Sequence, residues 1–394
     1  MNPTGTARGS TGWGSLTLAL LVGACGGGTT LVEGDDGDGG GDSPESWLAP
    51  VADVGEVGWR DSTIPWEPAA RNCAPGSAAF DLRADDDSVF TFLRFDSGDV
   101  ADSLAVQVFS ANDGAGWRDL YVDEGCSWSE LPCMDYLGGM TGRGLLAFGQ
   151  QGAGYVDVEA FQVEPLLLPL SGSGGLFVVN ENLAYAVWED KVVHWDGTSW
   201  SPIPATLPYS VAALWADEDR LIAVGGRGTV LSLEDGAWRI IDADTLRDFR
   251  LVWGLGTDEL WIATGGGGGN PLEHFDGSTW SELPWPNLGT DVAHACAETA
   301  VDGMWGSGGT MYFHTSREFF MWDGTGFVML GYWPGVPTSL GDDGPWCVGD
   351  VEISAMWGNS AGDVFLAVVA TGHAGEPCPT RHVLRWDGSA FHWM

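Results

Sequence analysis

From residue 176 onward the hydrophobic positions fall in short runs that alternate with polar ones, as in LFVVNENLAYAVW (Leu176 to Trp188) and VAALWADEDRLIAV (Val211 to Val224). Alternation with a period of two, in runs of this length, predicts half-buried β-strands rather than helices. Many runs stop at an Asp-Gly pair: Asp196-Gly197, Asp235-Gly236, Asp276-Gly277, Asp323-Gly324 and Asp387-Gly388. Such a pair predicts a tight hairpin turn, because Gly reaches positive φ without a Cβ penalty and the Asp side chain accepts from nearby backbone amides.

These strings recur in a fixed order. An apolar-Trp-Gly step is followed by an Asp-led turn, an alternating strand and a D-G-x-x-aromatic turn. The clearest copies are Leu251 to Pro284 and Ile353 to Phe391, with Gly303 to Phe327 between them and two earlier copies at Leu176 to Trp200 and Val211 to Trp238. Upstream the alignment continues more weakly. LYVDEGCSWSELP (Leu120 to Pro132) matches LEHFDGSTWSELP without a gap, YLGGMTGRGLLAFGQ (Tyr136 to Gln150) follows it, and Ala78 to Phe92 echoes AALWADEDRLIAV. Seven units result, closed by Trp128, Phe161, Trp200, Trp238, Trp280, Phe327 and Phe391, at spacings of 33, 39, 38, 42, 47 and 64 residues. A period near 40 with about four short strands per unit predicts an all-β chain folded as a seven-bladed β-propeller. Its extent is residues 44–394, with clear repeats over 170–394 and degenerate ones over about 70–165. One alternative stays open: residues 76–165 would also suit a β-sandwich preceding a five-bladed propeller.

At these residues the chain resembles the bacterial propeller-repeat group that includes kelch-like, Asp-box and regulator-propeller repeats. SANDGAGW (Ser110 to Trp117) follows the Asp-box outline, with Asn112 in place of its Asp. In that group the turn motif is structural, which implies that Asp196, Asp235, Asp276, Asp323 and Asp387 are scaffold rather than catalytic residues.

Composition narrows the function. The chain has 55 Asp and Glu against 16 Lys and Arg, a formal net charge of -39. With a single lysine, Lys191, it lacks the basic groups that nucleic acid requires, and the same deficit opposes docking on anionic lipid through basic residues. The 22 Trp and 16 Phe supply a core large enough to exclude global disorder.

Residues 1–24 have the form of an export signal: Arg8, then an apolar stretch from Leu16 to Ala24 too short to span a bilayer. The segment Leu21-Val22-Gly23-Ala24-Cys25 resembles the bacterial lipobox, which implies that Cys25 is lipidated and becomes the mature first residue. Gly26 in place of Asp after it implies sorting to the outer membrane, possible surface exposure included. Residues 25–43, rich in Gly and Asp, predict a flexible tether, so the membrane would be met through the lipid anchor only. Six cysteines remain, an even number that suits an oxidising compartment. Cys126 with Cys133 and Cys347 with Cys378 each close a loop inside one repeat, leaving Cys73 and Cys296; a zinc site is the rival, but no C-x-x-C pair occurs.

No hydrolase, zincin or phosphate-loop motif stands in its required context. His194 and His274 occupy one repeat position, which strand alternation explains. Arg227, Arg247, Arg250, Arg317 and Tyr312 supply the residue types of a glycoside-cleaving site. Acidic loops at 84–87 and 341–344 are candidate calcium loops, and no cofactor is otherwise expected. Trp333 and Trp346, near the long insertions 332–352 and 371–380, are candidate ligand-face residues. The expectation is a monomeric, envelope-anchored propeller that binds a protein or carbohydrate ligand. A surface hydrolase or lyase acting on polysaccharide is the alternative.

Overall fold

The computed structural model describes most of residues 78–394; residues 1–77 and, among longer stretches, 97–104, 127–135, 167–174, 287–300, 338–346 and 371–379 lie outside the described set. Seven four-stranded antiparallel sheets follow one another along the chain, each built from four consecutive strands. Blade 1 runs from Ala78–Ala84 to Trp117–Cys126, blade 2 from Tyr136–Thr141 to Gln162–Leu166, and blade 3 from Leu176–Asn180 to Trp200–Ile203. Blade 4 runs from Val211–Ala216 to Ala237–Ile240, blade 5 from Phe249–Gly254 to Trp280–Leu283, blade 6 from Gly303–Ser307 to Phe327–Tyr332, and blade 7 from Val351–Ser360 to Phe391–Trp393. The first strands of successive blades pack on one another, and that of blade 1 packs on that of blade 7. First strands therefore line the axis and fourth strands form the rim. The N-terminal region is two blades of this seven-bladed β-propeller, not a separate sandwich.

The Trp-Gly step of the repeat is explained between blades rather than within them. The Trp215 ring of blade 4 covers Gly254 of blade 5, where a Cβ would stand 2.5 Å from it. Trp305 of blade 6 covers Gly358 of blade 7 in the same way, with a Cβ 2.6 Å from the ring. Trp253 of blade 5 donates its indole N–H to the Gly306 carbonyl of blade 6 at 3.0 Å. Trp357 of blade 7 meets blade 1, where the Arg83 guanidinium lies 4.6 Å above its ring.

Trp253 also touches Phe177 of blade 3 and Trp357 of blade 7, both at 5.8 Å between ring centroids. A side chain that meets blades on both sides at second-neighbour distance lies across the axis. Aromatic rings fill the channel at that level.

Among the described residues no strand is exchanged between the two ends of the chain. Leu82, Ala84 and Val89 of blade 1 pack against Phe365, Ala367 and Val383 of blade 7, and that apolar seam closes the ring.

The Asp-Gly turns join third to fourth strands as predicted. Gly197, Gly236, Gly277, Gly324 and Gly388 all have φ between 75° and 93°. In blade 1 the register differs from the sequence alignment. The strand Trp117–Cys126 continues through Asp123-Glu124-Gly125, with a register shift between Asp123 and Cys126, and pairs with Ala105–Asn112. The connection at the repeat position is Asp113-Gly114-Ala115-Gly116, so Trp117, not Trp128, opens the fourth strand of blade 1.

Candidate functional site

Because the strands alternate in direction, connections between blades share one face with the turns joining second to third strands. The two faces differ in chemistry. The Asp-Gly turns lie on the opposite face, and those at Asp196, Asp276, Asp323 and Asp387 are satisfied within themselves. The first face carries the longest connections and a series of charged side chains held by individual partners.

On that face the inner turns of blades 4, 5 and 6 grip segments entering their own blade or the next one. In blade 4 the turn Gly226–Gly228 takes its geometry from this grip: Gly226 N–H donates to the Ser210 carbonyl at 3.2 Å, and Gly228 N–H donates to the Arg247 carbonyl at 2.6 Å. Arg227 between them is left-handed, at φ 58° and ψ 40°, an uncommon conformation for a residue with a Cβ. Its N–H is fixed by Asp248 Oδ1 at 2.8 Å, and its guanidinium lies 5.3 Å from the centre of the exposed Tyr209 ring. The exposed large apolar side chains among the described residues, Tyr209, Ile240 and Leu246, all border this blade.

Arg247 reaches the third and fourth strands of blade 5, placing Nη1 3.2 Å from Glu273 and Nη2 3.3 Å from Glu282. Burial pushes the Glu273 carboxyl up, Arg247 draws it back down, and the facing Glu282 raises it again. Arg250 donates to the Val301 carbonyl and to Asp302 Oδ1, the latter at 2.9 Å. Beside them His314 is buried against Gly303, where a Cβ would stand 2.2 Å from Nε2. Burial lowers the His314 pKa, and Nδ1 lies 3.0 Å from the Thr315 carbonyl, so Nδ1 carries the hydrogen of a neutral ring.

The blade 6 turn holds both the segment leaving its own blade and the first strand of blade 7. Arg317 and Ser316 carbonyls accept from Trp333 N–H at 3.0 Å and Ile353 N–H at 2.7 Å. Arg317 itself is buried, as are Arg381 and His382 on the third strand of blade 7, Thr380–Trp386. Burial lowers Arg381 to about 10, which leaves it charged at neutral pH.

The arginines singled out in the sequence thus share a face, yet they do not converge: Arg227, Arg247 and Arg250 are each engaged in their own sector, and Arg317 is buried at the blade 6 turn. Tyr312 does not join them: it donates to the Ala361 carbonyl, at the first turn of blade 7 on the opposite face. His194 and His274 serve their own sheets, with Ser201 Oγ 3.1 Å from His194 Nδ1 and Glu259 3.1 Å from His274 Nε2. Trp333 is half-buried, over Gly331 and edge-on to Phe391 at 5.8 Å, in the packing between blades 6 and 7. Cys126 and Cys347 lie in strands, Cys347 in a short pairing of Val336–Pro337 with Cys347–Val348. Cys25, Cys73, Cys133, Cys296, Cys378, Trp346 and the acidic residues at 85–87 and 341–344 lie outside the described residues. Among the described residues no three His, Cys, Asp or Glu side chains form a metal-binding group. Burial of Arg317 and the gripping turns escaped sequence reasoning, since neither leaves a local pattern.

No family model matches the chain, and no curated protein matches it. Its fold is similar to that of solved propellers. The structure of U3-55K shares 12% identity at a TM-score of 0.52, covering 79% of this chain and 97% of that one. The WD40 β-propeller domain of Doa1 shares 13% identity at a TM-score of 0.48, covering 74% of this chain and 90% of that domain.

Proposed function

We propose that the protein is a binding module of the cell envelope, anchored by lipid at Cys25, whose propeller presents one face to a protein partner. One observation carries this reading: the connection 334–350 joins blade 6 to blade 7 and the connection 371–379 joins the second and third strands of blade 7, so both leave the scaffold on the same face, the one on which Arg317, Arg381 and His382 are buried. Loops set on a rigid scaffold are where binding function concentrates. Filling of the axis by Trp253 directs a ligand to the rim of this face rather than through the channel. The fold alone would not select a function.

The test displays the full chain to protein and glycan arrays, beside a variant with residues 338–346 replaced by a Gly-Ser linker. Binding that is lost in the variant supports the reading. Breakdown of any arrayed polysaccharide overturns it in favour of a hydrolase or lyase. Cys25→Ser should move the chain from the membrane fraction to the soluble envelope fraction; unchanged partition removes the lipid anchor from the proposal.

A further inference from the structure

The inner turn of blade 4 reads Gly226-Arg227-Gly228, and the one residue in it that has a Cβ stands left-handed, at φ 58° and ψ 40°. Glycine would adopt that conformation freely, whereas a Cβ is crowded in it. The position gives the side chain no burial in return: Arg227 is exposed, with its guanidinium 5.3 Å from the centre of the Tyr209 ring. Among the described residues the other non-glycine residue at positive φ is Asp244, at 49°, in the connection that crosses this same turn. Backbone in such sparsely populated regions persists where its surroundings over-determine it, and it gathers at sites that hold a ligand.

That connection, residues 241–248, is pinned along its length. Ile241 N–H donates to the Val230 carbonyl at 2.9 Å, Ala243 is buried, the Arg247 carbonyl accepts from Gly228 N–H, and the Asp248 carbonyl accepts from Gly265 N–H at 2.7 Å. Between those anchors Leu246 is nevertheless 77% exposed. Tyr209, next to the Ser210 whose carbonyl holds Gly226, is 45% exposed, and Ile240, at the end of the fourth strand of blade 4, is 74% exposed. These are the large apolar side chains left exposed among the described residues, in a chain with 22 Trp and 16 Phe. Scattered singly they would need no explanation; they border one turn on one face, and so form a patch. Tyr and Arg are the residue types that carry much of the binding energy in protein interfaces, and a loop already held in place loses little freedom when a partner arrives.

We infer that this patch on blade 4 is the docking surface for a protein segment carrying an apolar side chain flanked by lysine or arginine. The inference rests on the reading of the chain as a binding module and names the partner's chemistry. Charge selects the occupant. Arg247 lies between Glu273 and Glu282, and Arg239 lies 3.3 Å from Glu234, so these cations at the patch are engaged. Asp242, Asp244 and Asp248 are exposed in the same connection as Leu246, which makes the rim acidic. A second copy would bring a further net charge of -39 against this one, and an anionic bilayer would meet the same repulsion. A basic segment is attracted both by the rim and by the field of the whole chain.

The experiment selects phage-displayed random peptides on the full chain carrying Cys25→Ser, which removes the anchoring residue, and measures the enriched peptides by fluorescence anisotropy against the same chain with Leu246→Ser or Arg227→Gly added. Selection should enrich sequences in which a large apolar residue is flanked by Lys or Arg. Leu246→Ser should weaken their binding about tenfold or more, the loss expected when one leucine side chain is no longer buried, and should leave the thermal midpoint unchanged. Arg227→Gly should raise the midpoint, because the left-handed residue is relieved, and should weaken binding as well. Enriched peptides without basic residues, binding that Leu246→Ser leaves intact, or no enrichment at all overturns the proposal. A lower midpoint in Arg227→Gly assigns that residue to the fold and overturns it too. Leu246-dependent flotation with phosphatidylcholine vesicles, or a Leu246-dependent dimer in sedimentation, overturns it in favour of a lipid surface or a second copy. Array binding that is lost on replacing 338–346 but untouched by Leu246→Ser sinks this assignment and leaves the binding-module reading intact.

Discussion

The Asp of each outer turn shows how one residue type serves the scaffold several times over. Asp196 Oδ1 accepts from the backbone of Thr198 at 2.9 Å and of Ser199 at 2.8 Å, and from the Thr198 hydroxyl at 2.7 Å. Asp276, Asp323 and Asp387 repeat the arrangement with Ser278, Thr325 and Ser389. Donors aimed at the charged form stabilise it, so all four carboxyls sit below the ordinary value of 3.8, Asp196 at about 2, chiefly through the Thr198 hydroxyl. A depressed folded-state value means stability that is fully present above the unfolded value and lost as pH falls through the folded one. The midpoint difference between wild type and Asp196→Ala in thermal melts is therefore expected to be constant above pH 3.8 and to shrink as the pH falls to about 2. A difference that stays constant to pH 2 would mean that the charge of Asp196 contributes nothing. The role of these residues was legible in the sequence, because the recurrence of Asp-Gly once per unit marks a turn. The left-handed Arg227 was not, since its conformation is imposed by Asp248 and Arg247 from a different connection.

Blades were legible to the extent that their turns are local. Five of them could be delimited from Asp-Gly-x-x-aromatic strings. The register of blade 1 could not, because Leu120 to Pro132 copies the blade 5 string so closely that the true connection at 113–116 was passed over, although Asp113-Gly114-Ala115-Gly116-Trp117 satisfies the stricter pattern. Strand pairing decides such a case, and pairing is a tertiary fact. The Trp-Gly step had the same status: visible as a motif, with its reason in the neighbouring blade. Since Trp305 lies on Gly358 with room for no Cβ, Gly358→Ala should force the ring or the strand aside and cost about 1–3 kcal/mol, the usual range for overpacking. Denaturant unfolding of Gly358→Ala beside Gly326→Ala, where a Cβ meets nothing within 4 Å, separates overpacking from a general effect of losing glycine. Equal stabilities for the two variants would remove the interlock as the reason for the Trp-Gly repeat.

Over the whole molecule the balance of charge opposes the ring that the aromatic seams hold together. Sixteen Lys and Arg stand against 55 Asp and Glu, which leaves a surplus of 39 negative charges whatever the pairing. The arginine pairs on the face of the blade connections are part-exposed, with the Arg247 and Arg250 side chains 39% and 36% accessible, and pairs of that kind are each worth about 0–1 kcal/mol. Among the described residues, closure between blades 1 and 7 rests on apolar contact and the Arg83–Trp357 stack. Salt should therefore stabilise this protein. Raising ionic strength from about 0.01 to 0.15 M shortens the screening length from about 30 to 8 Å, less than the distance across the ring. The repulsion between blades weakens while the apolar seams are little affected. The midpoint of thermal denaturation, followed by circular dichroism at neutral pH, should rise over that interval with sodium chloride. A midpoint that falls with salt would place the net electrostatic contribution in the paired arginines, and would mean that the surplus of carboxylates is spaced widely enough to cost the fold nothing.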